Sequence, residues 1–213
     1  MKKGVIFDLD GTLWDSSYEV AYSWSEAIKE RPDIHKEITT EQIQSVMGKT
    51  MTDIADILFA EYDRDFRMKL LDYCMKKELE YIREHGGRIF EGVPETFKLL
   101  KDSGYYLYIV SNCQVGYIEA FLDYYKLWDY VDDIESYGAT GQGKAYNIAL
   151  VVSRNNLDKA VYVGDIQSDY DSATEAGVPF IHARTGYGKI NADVPFISSI
   201  KELPEQVGKV IGG

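Results

Sequence analysis

Hydrophobic positions along this chain repeat in two distinct ways. Three apolar runs end in polar residues of similar character: GVIFD at 4–8, YYLYIVSN at 105–112 and AVYVGD at 160–165. Runs this short, with no strict alternation, predict strands covered on both faces. Helix-period patterns lie between them, including VPETFKLLKDSG, with Pro94 suited to a first helical position and Gly104 just past the end. VGYIEAFLDYYKL and KAYNIALVVSRNN predict two more helices. The helix SDYDSATEAG leads to a fourth strand, VPFIHA at 178–183, and SSIKELPEQVGKV predicts a terminal helix. The fold class predicted is therefore α/β, a Rossmann-like parallel sheet with helices on both faces.

Between 16 and about 85 no strand-like run occurs, and apolar residues recur at three and four spacings. YEVAYSWSEAIKE, TEQIQSVMG, MTDIADILFAEY and DFRMKLLDYCMKKELEYIREHGG predict four helices, punctuated by Pro32, Gly48 and the Gly86-Gly87 pair. A block this long between the first and second strands exceeds a simple crossover. The expected organisation is an α/β core over 1–15 and 86–213, and a separate small helical domain over 16–85.

Composition narrows the function. The 213 residues are 45% hydrophobic and 27% charged, an ordinary globular balance, and 23 Lys plus Arg against 35 Asp plus Glu give a net charge of −12. With no basic run, neither nucleic acid nor a membrane surface is an expected partner. Cys74 and Cys113 lie far apart, and the chain shows no signal peptide and no long apolar stretch, so a reducing cytoplasm is the expected location. His35, His85 and His182 are scattered and form no metal-ligand spacing.

In an open parallel sheet, ligands bind beyond the carboxyl ends of the strands. Here those ends carry Asp8 and Asp10, then Ser111 and Asn112, then Asp165 with Asp169 four residues on. Turns favour such residues singly, but three strand ends converge on one place. Carboxylates held together repel unless a cation sits among them. Oxygen donors without His or Cys point to magnesium, and magnesium favours a phosphate substrate. Lys144, Thr12 and Ser111 could hold the remaining phosphoryl oxygens.

Four separated motifs resemble the haloacid dehalogenase superfamily, in its phosphatase branch with a helical cap after the first strand. They are Asp8-Leu9-Asp10-Gly11-Thr12, Ser111 with Asn112, Lys144 in GQGKAYNIA, and Gly164-Asp165 through Asp169. The match departs from the usual pattern only after Lys144, where Ala145 stands in place of a frequent Pro. The resemblance implies a magnesium-dependent phosphomonoester hydrolase acting on a small phosphorylated metabolite through an aspartyl phosphate. Asp8 would be the nucleophile and Asp10 the general acid/base. Ser111 and the Asn112 backbone N–H would bind phosphoryl oxygens, and Lys144 would pair with phosphate and Asp8. Magnesium would bind the Asp8 side chain, the Asp10 carbonyl and Asp165, with Asp169 joining through water or orienting Lys144.

Within that family Asp10 argues for phosphoryl transfer, because dehalogenases carry Tyr there. A phosphonatase would use a cap lysine, for which Lys29, Lys36 or Lys49 are candidates. A sugar-phosphate mutase of the β-phosphoglucomutase type is the alternative enzyme, against which Thr12 argues. A non-enzymatic binding protein is the alternative from another class, against which the complete acid set argues. In MGKTMTD, residues 47–53, Lys49 or Thr50 could contact the non-phosphate part of the substrate. The expected oligomeric state is a monomer or homodimer. Trp14 reads as packing between core and cap or as a substrate contact, and Asp15 as a turn or helix-start residue.

Overall fold

The computed structural model describes all 213 residues. In chain order its elements are β1 (Lys3–Phe7), β2 (Trp14–Asp15), α1 (Ser17–Lys29), α2 (Thr40–Val46), α3 (Met51–Leu58), α4 (Arg64–His85) and β3 (Arg88–Ile89). There follow α5 (Val93–Asp102), β4 (Tyr106–Ser111), α6 (Tyr117–Tyr125), β5 (Val131–Ser136), the single turn α7 (Tyr137–Thr140) and α8 (Lys144–Arg154). The chain ends with β6 (Lys159–Gly164), α9 (Gln167–Glu175), β7 (Phe180–Ala183), β8 (Phe196–Ile197) and α10 (Leu203–Ile211).

Six strands form one parallel sheet in the order β5-β4-β1-β6-β7-β8. Side chains alternate across it as strand geometry requires. Val5 and Phe7 of β1, Leu107 and Ile109 of β4, and Val161 and Val163 of β6 enter a large apolar cluster on one side. Ile6, Tyr108, Val110 and Tyr162 enter a smaller cluster on the other. Both faces are buried, which explains why these runs lack polar alternation. Full burial of each such side chain is worth about 1.5–3 kcal/mol. The sequence-predicted strands and α/β class agree with this sheet.

β5 was not predicted. Its sequence, VDDIES, carries three acids because it is an edge strand; Asp132 pairs with Lys101, and Asp133 and Glu135 pair with Arg154. The short β2 and β3 pair antiparallel, Trp14 opposite Ile89 and Asp15 opposite Arg88, where the chain leaves the sheet layer and returns. Between them stand the four helices α1 to α4. The starts of the last three are set by caps: Thr39 and Gln42 form a capping box on α2, Thr50 caps α3, and Asp63 caps α4. Helix α1 packs on α4, and α4 also packs on α6 of the sheet layer. No helix is long and apolar enough to cross a membrane.

β1 lies between β4 and β6, so the chain turns to opposite sides after the first strand. That is the switch point at which a crevice opens beyond the strand ends.

Candidate active site

The Asp8 amide continues the β1 ladder by donating to the Val163 carbonyl (2.8 Å). The chain then turns sharply, with Thr12 and Leu13 both donating back to the Leu9 carbonyl. Gly11 holds φ at +81°, and a Cβ there would overlap the Asp165 carboxylate. Glycine is thus required both for the conformation and for the close approach of Asp165.

Lys144 opens α8 with its ammonium buried between two acids, Nζ lying 2.9 Å from Asp8 Oδ1 and 2.5 Å from Asp169 Oδ1. Asp169 uses its second oxygen to accept from the amides of Asp165 (3.0 Å) and Ile166 (3.2 Å). It therefore anchors its own helix start and orients Lys144 at once. Asp165 accepts from the Tyr187 amide at Oδ2 (2.7 Å) and from Thr12 Oγ1 at Oδ1 (3.4 Å). Carboxylate oxygens of Asp8, Asp165 and Asp169 lie within 4.8 Å of one another.

Burial pushes Asp8 well above the usual carboxylate range, and the Asp169 charge adds to it, while Lys144 pulls the other way. Burial and the Asp169 charge raise Asp165 to about 7. Burial disfavours the Lys144 ammonium, but Asp169 and Asp8 outweigh that and hold it charged. Three carboxylates against one ammonium leave buried negative charge uncompensated. A hard divalent cation fits this all-oxygen set, since it would relieve the repulsion that the protein leaves in place.

Asp10 is anchored differently. Its Oδ1 accepts from Trp14 Nε1 (2.9 Å), Ser16 Oγ (2.7 Å) and Tyr117 Oη (3.1 Å), and Tyr117 also reaches Ser16 Oγ (2.8 Å). Oδ2 takes no protein donor. Burial raises the Asp10 pKa, opposed by the donors Ser16, Tyr117 and Trp14. The carboxyl is thus held in one orientation with one oxygen available for proton transfer.

Above Asp8 and Asp10 a narrow cleft separates the strand ends from the helical block. Ser111 and Asn112 line its sheet side, and Lys49 lines the other. Asn112 Nδ2 donates to the Gly48 carbonyl (2.8 Å), a direct link across the cleft. Thr50 stands outside the lining; its hydroxyl is engaged with Asp53 as the cap of α3. Trp14 is fully buried with edge contacts to Tyr117 and Phe121, so it packs, and it also holds Asp10. Asp15 accepts from the Ser17 amide and hydroxyl at the start of α1 and pairs with Arg88, in keeping with a helix-start residue.

Other residues around Asp10 and along the cleft belong to none of the four motifs. Ser16 and Tyr117 meet Asp10 only through tertiary packing, and nothing local in the sequence marks them. Glu78 did leave a signal: on α4 it continues the buried series Leu70, Cys74 and Ile82 at four-residue spacing. Cys74 and Cys113 are both buried free thiols; burial pushes Cys74 to about 12 and raises Cys113 further, so neither is a poised nucleophile.

Residues 5–183 match the model of the family described as haloacid dehalogenase-like hydrolase. The chain belongs to the haloacid dehalogenase-like hydrolases. It is 27% identical over 201 residues to a phosphoglycolate phosphatase of Aquifex aeolicus, covering 90% of this chain and 89% of that protein. A predicted phosphatase from Clostridium acetobutylicum superposes with a TM-score of 0.81 at 23% identity, over 99% of this chain and all of that one. A β-phosphoglucomutase from Clostridium difficile superposes with a TM-score of 0.76 at 15% identity over the whole of both chains. At these identities the two structures speak to the fold alone, and hydrolases and mutases of this family share it.

Proposed function

We propose that this hydrolase is a magnesium-dependent phosphatase that cleaves a small phosphorylated metabolite through an aspartyl phosphate. The coarse reading, a phosphatase of the haloacid dehalogenase type, follows from the family and from relatives of that activity. The observation that carries the finer reading is the pairing of two differently held acids on one cleft floor. Lys144 binds one oxygen of Asp8, and three donors fix one oxygen of Asp10.

Asp8, through the oxygen that Lys144 leaves free, attacks phosphorus in line as the ester P–O bond breaks. Asp10 gives a proton to the departing alkoxide, and in the second step takes one from the water that attacks the acyl phosphate. Ser111 and the Asn112 amide hold phosphoryl oxygens, with Thr12 supporting the loop, and Lys49 contacts the non-phosphate part of the substrate from the helical side. Lys144 balances charge on Asp8 and on the transferring group. Asp8, the Asp10 carbonyl and Asp165 would hold the magnesium ion, with Asp169 joining through water; bound there, it neutralises phosphoryl charge. The helical block 16–85 acts as a cap over the core formed by 1–15 and 86–213, with the β2–β3 ribbon at the junction.

The two buried free thiols suit a reducing cytoplasm, as a monomer or homodimer. Substrates of the right class include phosphorylated acids such as the phosphoglycolate of the relatives, sugar phosphates and nucleotides. The direct test is phosphate release from p-nitrophenyl phosphate with magnesium. Asp8→Asn is expected to abolish turnover with an unchanged circular dichroism spectrum, and borohydride is expected to trap the aspartyl phosphate only in the parent enzyme. Turnover by Asp8→Asn at parental rate would refute the covalent route. Interconversion of sugar phosphates without net phosphate release would instead establish the mutase.

A further inference from the structure

The cleft has a second end that the phosphatase chemistry does not use. Glu78 projects from α4 into it and is only 3% exposed. Its Oε2 accepts from Trp24 Nε1, and its Oε1 accepts from Gln114 Nε2 (3.2 Å), which is itself fixed by the Met75 carbonyl (3.0 Å). Both donors are neutral, and no Lys or Arg pairs with Glu78 anywhere in the protein. The neighbours on the buried face of α4 are apolar, so an apolar residue at 78 would complete that face without the cost of burying a carboxylate. Two donors leave about half of its acceptor positions open.

The surrounding wall carries little charge. Val20, Val46, Met47, Met51 and Ile54 line the helical side, with the Trp24 ring stacked on Phe59 behind it. The lining's single cation, Lys49, follows Gly48, which is tied to Asn112 at the phosphoryl end. A leaving alcohol that starts at Asp10 and extends under the helices therefore meets an apolar passage containing one fixed, cation-free carboxylate.

We propose that Glu78 is the specificity residue for the leaving alcohol, and that the substrate is a phosphomonoester whose alcohol bears an ammonium group on a short apolar body. The inference rests on the phosphatase reading and adds the substrate class. An ammonium group supplies the charge-assisted hydrogen bond that the two neutral donors cannot, and the Trp24 and Tyr117 rings give it polarisable surroundings. A substrate carboxylate against Glu78 meets like charge. Burial pushes Glu78 up to about 7 despite its two donors, with the Asp10 charge adding to the rise. That is the cost of a carboxylate still waiting for its cation.

The test is a matched series with magnesium at pH 7.5: 2-aminoethyl phosphate, 2-hydroxyethyl phosphate, propyl phosphate and phosphoglycolate, followed by phosphate release. The parent enzyme is expected to favour the ammonium ester over the hydroxyl ester by about tenfold in kcat/KM, and over phosphoglycolate by about a hundredfold. Glu78→Gln is expected to shrink the ammonium-to-hydroxyl ratio to within about threefold, chiefly through a raised KM for the ammonium ester. Competitive inhibition of the parent enzyme by free ethanolamine but not by glycolate would give the same answer should the variant fail to fold. A preference for phosphoglycolate or propyl phosphate, or an unchanged ratio in Glu78→Gln, overturns the assignment while p-nitrophenyl phosphate turnover keeps the phosphatase. Failure of the parent enzyme on every ester, p-nitrophenyl phosphate included, overturns both.

Discussion

At the scale of single residues, Asp8, Asp10 and Glu78 are all buried acids in one cleft, and their neighbours give them different work. Asp8 has an ammonium, Asp10 has three neutral donors on one oxygen, and Glu78 has two donors and no cation. The Asp10 arrangement suits a group that must gain and lose a proton without moving. Asp10→Asn is therefore expected to slow alkyl phosphate hydrolysis by about 10²–10⁴-fold and p-nitrophenyl phosphate much less, because nitrophenolate departs without a proton. Equal losses for both esters would count against the acid role. Glu78 makes a separate claim on stability. Its folded pKa of about 7 stands above the ordinary glutamate value of about 4.3, so the folded state binds more protons between those values. Stability is therefore lost as pH rises through that window and stays lost above it, by an amount on the order of 3 kcal/mol. Urea unfolding of the parent and of Glu78→Gln is expected to show the parent losing ground to the variant by roughly that amount between pH 5 and 8. A difference that stays flat with pH would mean that the carboxyl is not strained in the folded state.

At the scale of elements, legibility followed how local the cause was. The three central strands were readable because both faces are apolar, and the helices α1 to α4 because their apolar three-and-four spacing is written in adjacent residues. Asp8, Asp10, Ser111 and Asp165 were readable as residues at strand ends, which a parallel sheet gathers. β5 was not, because its outward acids find Lys101 and Arg154 only once the sheet has formed. Neither Tyr117 nor Ser16 could be found from spacing, since each reaches Asp10 from a different element. The loop between α2 and α3 shows how such distant causes act. Gly48 has φ of +80°, its carbonyl accepts from Asn112, and a Cβ there would overlap Ile166 beside Asp165. Gly48→Ala therefore meets about 1–2 kcal/mol of backbone strain and also brings its Cβ against the end of the Ile166 side chain. Its kcat/KM is expected to fall about tenfold, since small misplacements of residues lining the cleft are costly to rate. Adding Ile166→Ala to Gly48→Ala is expected to recover a large part of that loss. If the double variant is no better than Gly48→Ala, the contact with Ile166 does not govern the loop.

At the scale of the whole molecule, one apolar cluster of 43 residues runs from a face of the sheet into all four helices α1 to α4. The acids at the strand ends are thus held from below by the sheet and from above by the same continuous core. That rigidity means the protein cannot separate Asp8, Asp165 and Asp169 to relax their repulsion, and a chain already at −12 has little spare positive charge to offer them. Only an added cation restores the balance. Magnesium at a hundredfold excess over its Kd is expected to stabilise the protein by about 2.7 kcal/mol, which for a chain of this size raises Tm by roughly 5–10 °C. Because screening of a net negative charge by any salt could also raise Tm, sodium chloride at matched ionic strength is the necessary comparison. Asp165→Asn separates the two effects. It removes one repelling carboxylate and one oxygen ligand, so with EDTA it is expected to melt above the parent, and added magnesium is expected to move it far less. Equal responses of the parent to magnesium and to matched sodium chloride, or a full magnesium response in Asp165→Asn, would show that the strand-end acids are not the ion's site.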